Sequence, residues 1–165
     1  MTYTTNAISQ SANIFDAVAN AQAAFTTLST DEKLGLLWVI YGNLGGAITP
    51  AATGAARVQF IAGLLQEVTS LPQEQQLQFM RDLVNRVNTP LTRAYGTFSN
   101  NNKLAFWYQL AEGMTTGKIV PVPSYYNLSN AGSGVFNQIA QLEFGQQITL
   151  LRKFVVEMGV NSFSV

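Results

Sequence analysis

Signals that start and stop helices recur along the chain, and they constrain its fold more than any other feature. Ser29-Thr30-Asp31-Glu32 is a capping box, in which the serine hydroxyl can accept the amide hydrogen of Glu32 and the glutamate can reach back. Gly45-Gly46 can end the helix that starts there, because glycine adopts the left-handed C-terminal conformation at little cost. Thr49-Pro50 places another capping residue before a proline suited to a first turn. A helix from about Thr30 to Leu44 is therefore predicted, with a second after Thr49.

Later signals predict further helices. Leu71-Pro72-Gln73-Glu74 opens a third helix, and Thr89-Pro90 opens a short fourth one. Ser99 precedes a fifth from Lys103 to Thr115, and a final helix runs from about Gly145 to Met158. Residues 8–28 are expected to hold one or two more. Apolar residues at three- and four-residue spacing mark the inner faces of the second and third helices: Val58, Ile61, Ala62, Leu65 and Val68, then Leu77, Met80, Leu83, Val84 and Val87.

The segment from Lys118 to Tyr126 is predicted to be an extended loop. Pro121 and Pro123 bracket Val122, and the residue before a proline avoids the helical conformation. No segment alternates apolar and polar residues for long enough to predict a strand. The patterns, together with a length of 165 residues, predict an all-α fold in a single domain.

Histidine and cysteine are both absent from the sequence. Their absence removes the usual general base at neutral pH, the commonest metal ligand and every thiolate or disulfide. Gly132-Ser133-Gly134 does not have the frame of a nucleophile elbow, and no histidine could activate its serine. We therefore predict that the protein is not an enzyme and has neither catalytic residues nor a metal site.

Charge is sparse and balanced. Nine basic and nine acidic residues make up 11% of the chain, against about 25% in typical domains. A neutral chain has no strong field for nucleic acid or anionic membranes. The longest apolar stretch, Leu34 to Ile48, is interrupted by Asn43 and glycines and is shorter than the ~20 residues that span a bilayer. We expect a soluble, cytoplasmic protein that neither binds nucleic acid nor spans a membrane.

Aromatic residues lie in pairs on the predicted helices. Trp38 and Tyr41 are three residues apart and share one helical face, whereas Trp107 and Tyr108 diverge by about 100° and can line two neighbouring surfaces. Tyr126 follows the proline-bracketed loop. The pattern by itself indicates an aromatic-rich core, and it is also compatible with a slot in which flat rings stack on a flat conjugated ligand.

Several gap-free blocks keep their order and spacing from about residue 28 onward. They are Leu34-Gly35-Leu36-Leu37-Trp38-Val39-Ile40-Tyr41, Thr53-Gly54-Ala55-Ala56, Asn85-Arg86 through Thr89-Pro90, Lys103-Leu104-Ala105-Phe106-Trp107-Tyr108, Val120-Pro121-Val122-Pro123 and Gly145 through Arg152. Together these blocks resemble the N-terminal domain of the orange carotenoid proteins. The sequence stops where the linker of that family would begin, so it looks like a stand-alone helical carotenoid protein without the sheet-containing second domain.

The resemblance implies an all-α single domain of two interleaved helical bundles that enclose a carotenoid tunnel. It spans residues 1–165, with about 1–28 as an N-terminal helical extension and 29–165 as the family core. The implied cofactor is a ketocarotenoid such as canthaxanthin or echinenone. The implied pigment-lining residues are Leu34, Leu37, Trp38, Tyr41, Met80, Trp107, Tyr108, Ile119, Tyr126 and Ile148. Asn101 and Arg152 match residues that contact the second domain, and Arg152 also matches a residue that helps dock the light-harvesting antenna.

The resemblance further implies photoprotection, by non-covalent pigment binding with quenching of singlet oxygen and carriage of the carotenoid. An alternative within the family is a quencher that docks on phycobilisomes, peripheral to the thylakoid. A separate protein resembling the missing domain is a further implied partner. An alternative of another class is a pigment-free helical adaptor or structural domain.

Overall fold

The computed structural model describes residues 16–44 and 58–161. Every regular element in these two ranges is an α-helix, which confirms the predicted all-α fold. Numbered in chain order, the helices are α1 (residues 16–26), α2 (Thr30–Leu44), α3 (Val58–Thr69), α4 (Gln73–Asn85), α5 (Pro90–Gly96), α6 (Asn100–Thr116), α7 (Asn130–Ala140) and α8 (Phe144–Val156). Across the described ranges, none of them is long and apolar enough to cross a bilayer.

Side-chain caps begin several helices where the sequence indicates. Ser29 Oγ accepts the amide hydrogen of Glu32 at an N···O distance of 3.2 Å, and α2 has its predicted bounds. Ser99 Oγ accepts the Asn102 amide in the same way, so α6 begins at Asn100, three residues before the predicted start. The predicted start of a helix at Thr49-Pro50 lies outside the described residues.

Helix α7 was not predicted. Gly132 and Gly134 lie in its first turns, and glycine lowers helix propensity by about 1 kcal/mol relative to alanine. The hydroxyl of Ser129 nevertheless accepts the Gly132 amide at 3.0 Å, and Val135 and Ile139 are buried one turn apart. A capping serine followed by this apolar pair was the signal that could have revealed the helix.

Two residues predicted to face inward are exposed. Val87 is 45% exposed, because α4 ends at Asn85 and Arg86 turns the chain with a left-handed φ of 56°. Ala62 is exposed because Ile61, Leu64 and Val68 form the buried face of α3. The last helix also ends at Val156, before the predicted Met158.

Two helices lie at the centre of the packing. Helix α2 contacts α4, α6 and α7, and α6 contacts α2, α3 and α8. Helix α1 joins the same core, because the Phe25 ring stacks on Phe154 of α8 with 3.8 Å between centroids. The aromatic pairs that the sequence predicts as candidate ligand contacts therefore lie on α2 and α6, the two central helices of the described packing.

The turn after α8 is tied to two earlier helices. The amide of Gly159 donates to Leu83 O at 2.9 Å, and the amide of Val160 donates to Thr92 O at 3.3 Å. The ammonium of Lys103, on α6, lies 3.3 Å from the carbonyl oxygen of Val156 at the end of α8. A cation there complements the negative end of the helix dipole. Together these contacts hold the C-terminal end of α8 against α4, α5 and α6.

Candidate ligand-binding site

Three of the predicted aromatic residues meet in a cleft between α2 and α6, which we call the first cleft. Trp38 and Tyr41 reach it from α2, and Tyr108 reaches it from α6. The volume of the cleft is about 300 Å³. Small, polar and acidic residues complete its walls: Gly42, Ala111, Glu112, Thr115 and Thr116. Their three- and four-residue spacing gives each helix one continuous wall.

One ring of the first cleft, that of Tyr41, is fixed by contacts with α6. The Tyr41 hydroxyl donates to Leu104 O at 2.9 Å, and its ring centroid lies 6.4 Å from that of Tyr108 at an interplanar angle of 49°. Burial raises the pKa of Tyr41 well above its ordinary value, and Tyr95 raises it further. Tyr41 is thus a neutral, fixed ring at physiological pH, while Trp38 and Tyr108 are half-buried and keep part of their surface open.

A second cleft, of about 450 Å³, lies between α3 and α6. Helix α3 supplies one wall with Ala62, Leu65, Gln66 and Thr69, followed by Ser70. Helix α6 supplies the facing wall with Gln109, Glu112, Gly113 and Thr116, and the following turn adds Lys118 and Ile119. Glu112 and Thr116 line both clefts, so the two cavities adjoin along α6. Glu112 and Thr116 were not among the predicted site residues, although their spacing from Tyr108 places them on its face of the helix.

Trp107 lies in the core instead of the first cleft. Its side chain is 1% exposed, and its indole N–H donates to the Tyr95 hydroxyl at 3.1 Å. Tyr95 in turn donates to the carbonyl of Val155 on α8. The divergence of about 100° between neighbouring helical residues explains why Tyr108 lines the cleft while Trp107 faces the aromatic core.

The loop after α6 attaches to the two central helices through two predicted residues. A Cβ added at Gly35 would lie 1.7 Å from the Tyr126 hydroxyl, so that phenol packs directly on the backbone of α2. A Cβ at Gly113 would lie 2.5 Å from Ile119 Cγ1. Burial raises the pKa of Tyr126, and the carboxylates of Glu32 and Asp31 raise it further. The structure thus places Tyr126 next to α2, and Ile119 at the wall of the second cleft.

Gln76, which was not among the predicted site residues, holds the start of this loop. Its side chain is buried, and its Oε1 accepts the Val120 amide at 2.7 Å. Its Nε2 lies 3.1 Å from Val68 O and 3.3 Å from Lys118 O. A glutamine on the apolar face of α4, one turn before Met80, was the available signal. Gln76 therefore links α3, α4 and the loop that borders the second cleft.

The remaining predicted pigment-lining residues belong to the core or its margin. Leu34 and Leu37 are buried on α2, Met80 is buried on α4, and Ile148 is half-buried on α8. None of these four lines either of the two clefts described here. The assignment of these four residues, and of Trp107, to pigment binding stays a prediction from the resemblance.

Asn101 and Arg152, the predicted partner-binding residues, lie on the packed pair α6 and α8. Both are half-buried. The Nε of Arg152 is buried and makes no hydrogen bond with any described residue. Among the described residues no cluster of acidic side chains has the arrangement of a metal site.

Comparison with a family model matches residues 11–161 to the family described as orange carotenoid protein, N-terminal. An orange carotenoid-binding domain-containing protein of Nostoc sp. (strain PCC 7120) is 51% identical over 146 residues, which cover 88% of this chain and 85% of that protein. The orange carotenoid-binding protein of Synechocystis sp. is 44% identical over 144 residues, 87% of this chain but only 45% of that protein. The chain thus spans less than half of the longer relative.

Solved structures give the same result. The Red Carotenoid Protein of Anabaena (Nostoc) sp. PCC 7120 that binds canthaxanthin is 40% identical, with a TM-score of 0.76, over 87% of this chain and 98% of the other. The Orange Carotenoid Protein of the same organism, also binding canthaxanthin, is 42% identical with a TM-score of 0.81, over 89% of this chain and 48% of the other. In sequence and in fold, the chain belongs to the family of the orange carotenoid protein N-terminal domain.

Proposed function

We propose that the chain binds a ketocarotenoid non-covalently and protects against light by quenching singlet oxygen. The observation that carries the proposal is the meeting of Trp38, Tyr41 and Tyr108 around one cleft. Solved members of the family hold canthaxanthin, which is the pigment class that we assign to this chain. A cytoplasmic location and a role in carrying the pigment form part of the proposal.

The residues of the first cleft fit a flat conjugated ligand. Aromatic rings can stack on it from two helices, and each such contact contributes about 0.5–1.5 kcal/mol beyond the burial of area. Gly42 leaves room at the α2 wall, since an added Cβ there would have no neighbour within 4 Å. The neutral phenol of Tyr41, fixed by its bond to Leu104 O, places no charge beside the polyene.

The pigment and the protein would have separate roles. A bound carotenoid supplies the photochemistry, by accepting energy from singlet oxygen and releasing it as heat. The side chains of α2 and α6 supply solubility, orientation and shielding from water. None of them has to act as an acid, a base or a nucleophile, in agreement with a binding protein that is not an enzyme.

Expression in cells that produce canthaxanthin tests the proposal. We expect a coloured protein that keeps its pigment through purification and removes singlet oxygen faster than the pigment-free chain. A helical but colourless product would contradict the proposal and favour the pigment-free adaptor.

The alternative of a phycobilisome-docking quencher rests on Arg152. Arg152 is half-buried on α8, and the resemblance matches it to a residue that helps dock the light-harvesting antenna. If the alternative is correct, the loaded chain lowers the fluorescence of isolated phycobilisomes and Arg152→Leu restores it. Unchanged fluorescence with the loaded wild-type chain would exclude this alternative and leave singlet-oxygen quenching.

A further inference from the structure

We propose that Glu112 stabilises positive charge on the bound ligand, so that the loaded protein donates single electrons to oxidising radicals in addition to quenching singlet oxygen. The inference rests on the proposed function, because it requires a conjugated ligand in the first cleft. In the proposed step one electron passes from the conjugated chain of the ligand to the radical. The radical becomes an anion, the ligand keeps one positive charge, and no bond forms or breaks.

Glu112 is the one charged residue among the described residues that line the first cleft. The rest of that lining is aromatic, small or hydroxyl-bearing: Trp38, Tyr41, Gly42, Tyr108, Ala111, Thr115 and Thr116. Glu112 lies four residues after Tyr108, so the two side chains share one face of α6. The Glu112 carboxylate forms no ion pair with any residue that the structure describes. Its negative charge is therefore available to a ligand that lies against the Tyr108 ring.

The ends of two helices add to the negative potential of the first cleft. Tyr41 and Gly42 belong to the last turn of α2. Thr115 and Thr116 belong to the last turn of α6. The unpaired carbonyl groups of such a turn amount to about half a negative charge. Neither last turn contains a basic residue that would neutralise it. A ligand in the first cleft thus lies beside one full negative charge and two partial ones.

The second cleft differs from the first in its charge. Its lining contains Lys118 as well as Glu112, so one positive and one negative side chain balance there. Lys118 does not line the first cleft. The unbalanced negative charge is therefore restricted to the cleft in which aromatic rings from α2 and α6 meet.

The carboxylate acts on the oxidised ligand and not on the neutral one. A neutral polyene gains nothing from a nearby negative charge, whereas a positively charged one is attracted to it. At a separation of about 4 Å this attraction changes the equilibrium constant for oxidation about fivefold, even with the dielectric constant of water. A ligand that displaces water from the cleft strengthens the attraction further. Glu112 thus makes the ligand easier to oxidise by about 40 mV, the potential that corresponds to a fivefold change for one electron.

Spectroelectrochemistry of the full chain loaded with canthaxanthin tests the inference. We expect Glu112→Gln to raise the midpoint potential of the bound pigment by about 40 mV, a fivefold weaker tendency to give up an electron. The loaded variant should also reduce a stable organic radical more slowly than the wild type. Glutamine keeps the shape of the side chain and removes only its charge, and position 112 is exposed, so the variant should fold normally.

Glu67→Gln is the matched control. Glu67 is exposed on α3 and lines neither cleft, and its replacement makes the same change in net charge. We expect it to keep the potential of the wild type. Thr115→Lys places a positive charge in the first cleft and should also raise the potential. This second variant decides the question if Glu112→Gln does not retain pigment.

Ionic strength separates an electrostatic effect from a structural one. Salt screens the field of an exposed charge, because the Debye length falls from about 10 Å at 0.1 M to about 3 Å at 1 M. The difference in potential between the wild type and Glu112→Gln should therefore decrease over this range. A difference that salt does not reduce would contradict an electrostatic cause.

The remaining outcomes distinguish this inference from the proposed function. A wild-type chain that takes up no canthaxanthin overturns both together. A loaded Glu112→Gln variant with the potential of the wild type overturns the electron-donating role alone. An equal rise in Glu67→Gln also overturns it, because net charge would then be the cause and not the position of Glu112.

Discussion

At the scale of single residues, neighbours in the sequence have different tasks. Tyr108 lines the first cleft, whereas Trp107 is buried and bonded to Tyr95. Trp38 resembles Tyr108, because it is half-buried and borders the same cleft. The two tryptophans of the chain can therefore separate ligand binding from stability.

Trp38→Ala and Trp107→Ala should affect different properties, pigment binding and stability respectively. Trp107→Ala empties a core site and removes the indole donor of Tyr95, so we expect a loss of about 3–5 kcal/mol in the free energy of unfolding. Trp38→Ala should lose much less stability but most of its pigment. Urea unfolding of the pigment-free variants and the pigment-to-protein absorbance ratio measure the two effects. Equal losses of stability in both variants would contradict this assignment.

Buried tyrosines predict how stability changes in alkali. Burial raises the pKa of Tyr95 well above its ordinary value, although the hydrogen bond from Trp107 partly offsets this. Unfolded tyrosine ionises near pH 10, so the folded state becomes less stable as the pH rises above about 10. Tyr95→Phe should cost about 1–3 kcal/mol at neutral pH and show a shallower alkaline loss. Urea unfolding across this pH range is the measurement, and parallel curves for both proteins would exclude Tyr95 as the cause.

At the scale of elements, the loop between α6 and α7 depends on contacts with helices. The Tyr126 phenol lies on Gly35, Ile119 lies on Gly113, and the Gln76 amide bonds the backbone at Lys118 and Val120. These contacts hold the turn that borders the second cleft. The loop is thus positioned by α2, α4 and α6 together.

Gln76→Leu should loosen this loop. The substitution leaves the partly buried Val120 amide without its acceptor, which costs about 1 kcal/mol. Hydrogen exchange at residues 118–120 should become faster, while exchange in the centre of α6 changes little. Gln75→Leu is the control, because Gln75 is exposed on the same helix. Unchanged exchange in Gln76→Leu would show that other contacts hold the loop.

The helices of the fold could be predicted from the sequence more completely than the candidate ligand-binding site. The Ser29 cap marked the start of α2, because caps and apolar spacing are local signals. Helix α7 was missed because the glycines at its start weaken those signals. The direction of Trp107 and the bonds of Gln76 depend on residues distant in the sequence, and helical spacing alone cannot identify a partner on another element.

At the scale of the molecule, a ligand between α2 and α6 should stabilise much of the described fold, because these two helices together contact α3, α4, α7 and α8. Pigment-loaded protein should be more stable than pigment-free protein by about 2.7 kcal/mol when free ligand is at a hundred times its dissociation constant. Thermal unfolding monitored by helicity measures the difference. Trp38→Ala should show a smaller increase, and an equal increase would indicate that the ligand binds elsewhere.

Helix α6 carries core side chains on one side and walls of both clefts on the other, and this limits how the binding preference can be redesigned. Ten of its seventeen residues are buried, so replacements there affect folding as well as binding. The α2 wall of the first cleft is more tolerant at Gly42, which is exposed and has no atom within 4 Å of an added Cβ. Directed evolution toward a new pigment should therefore begin with a library at Gly42, keeping α6 as the fixed framework.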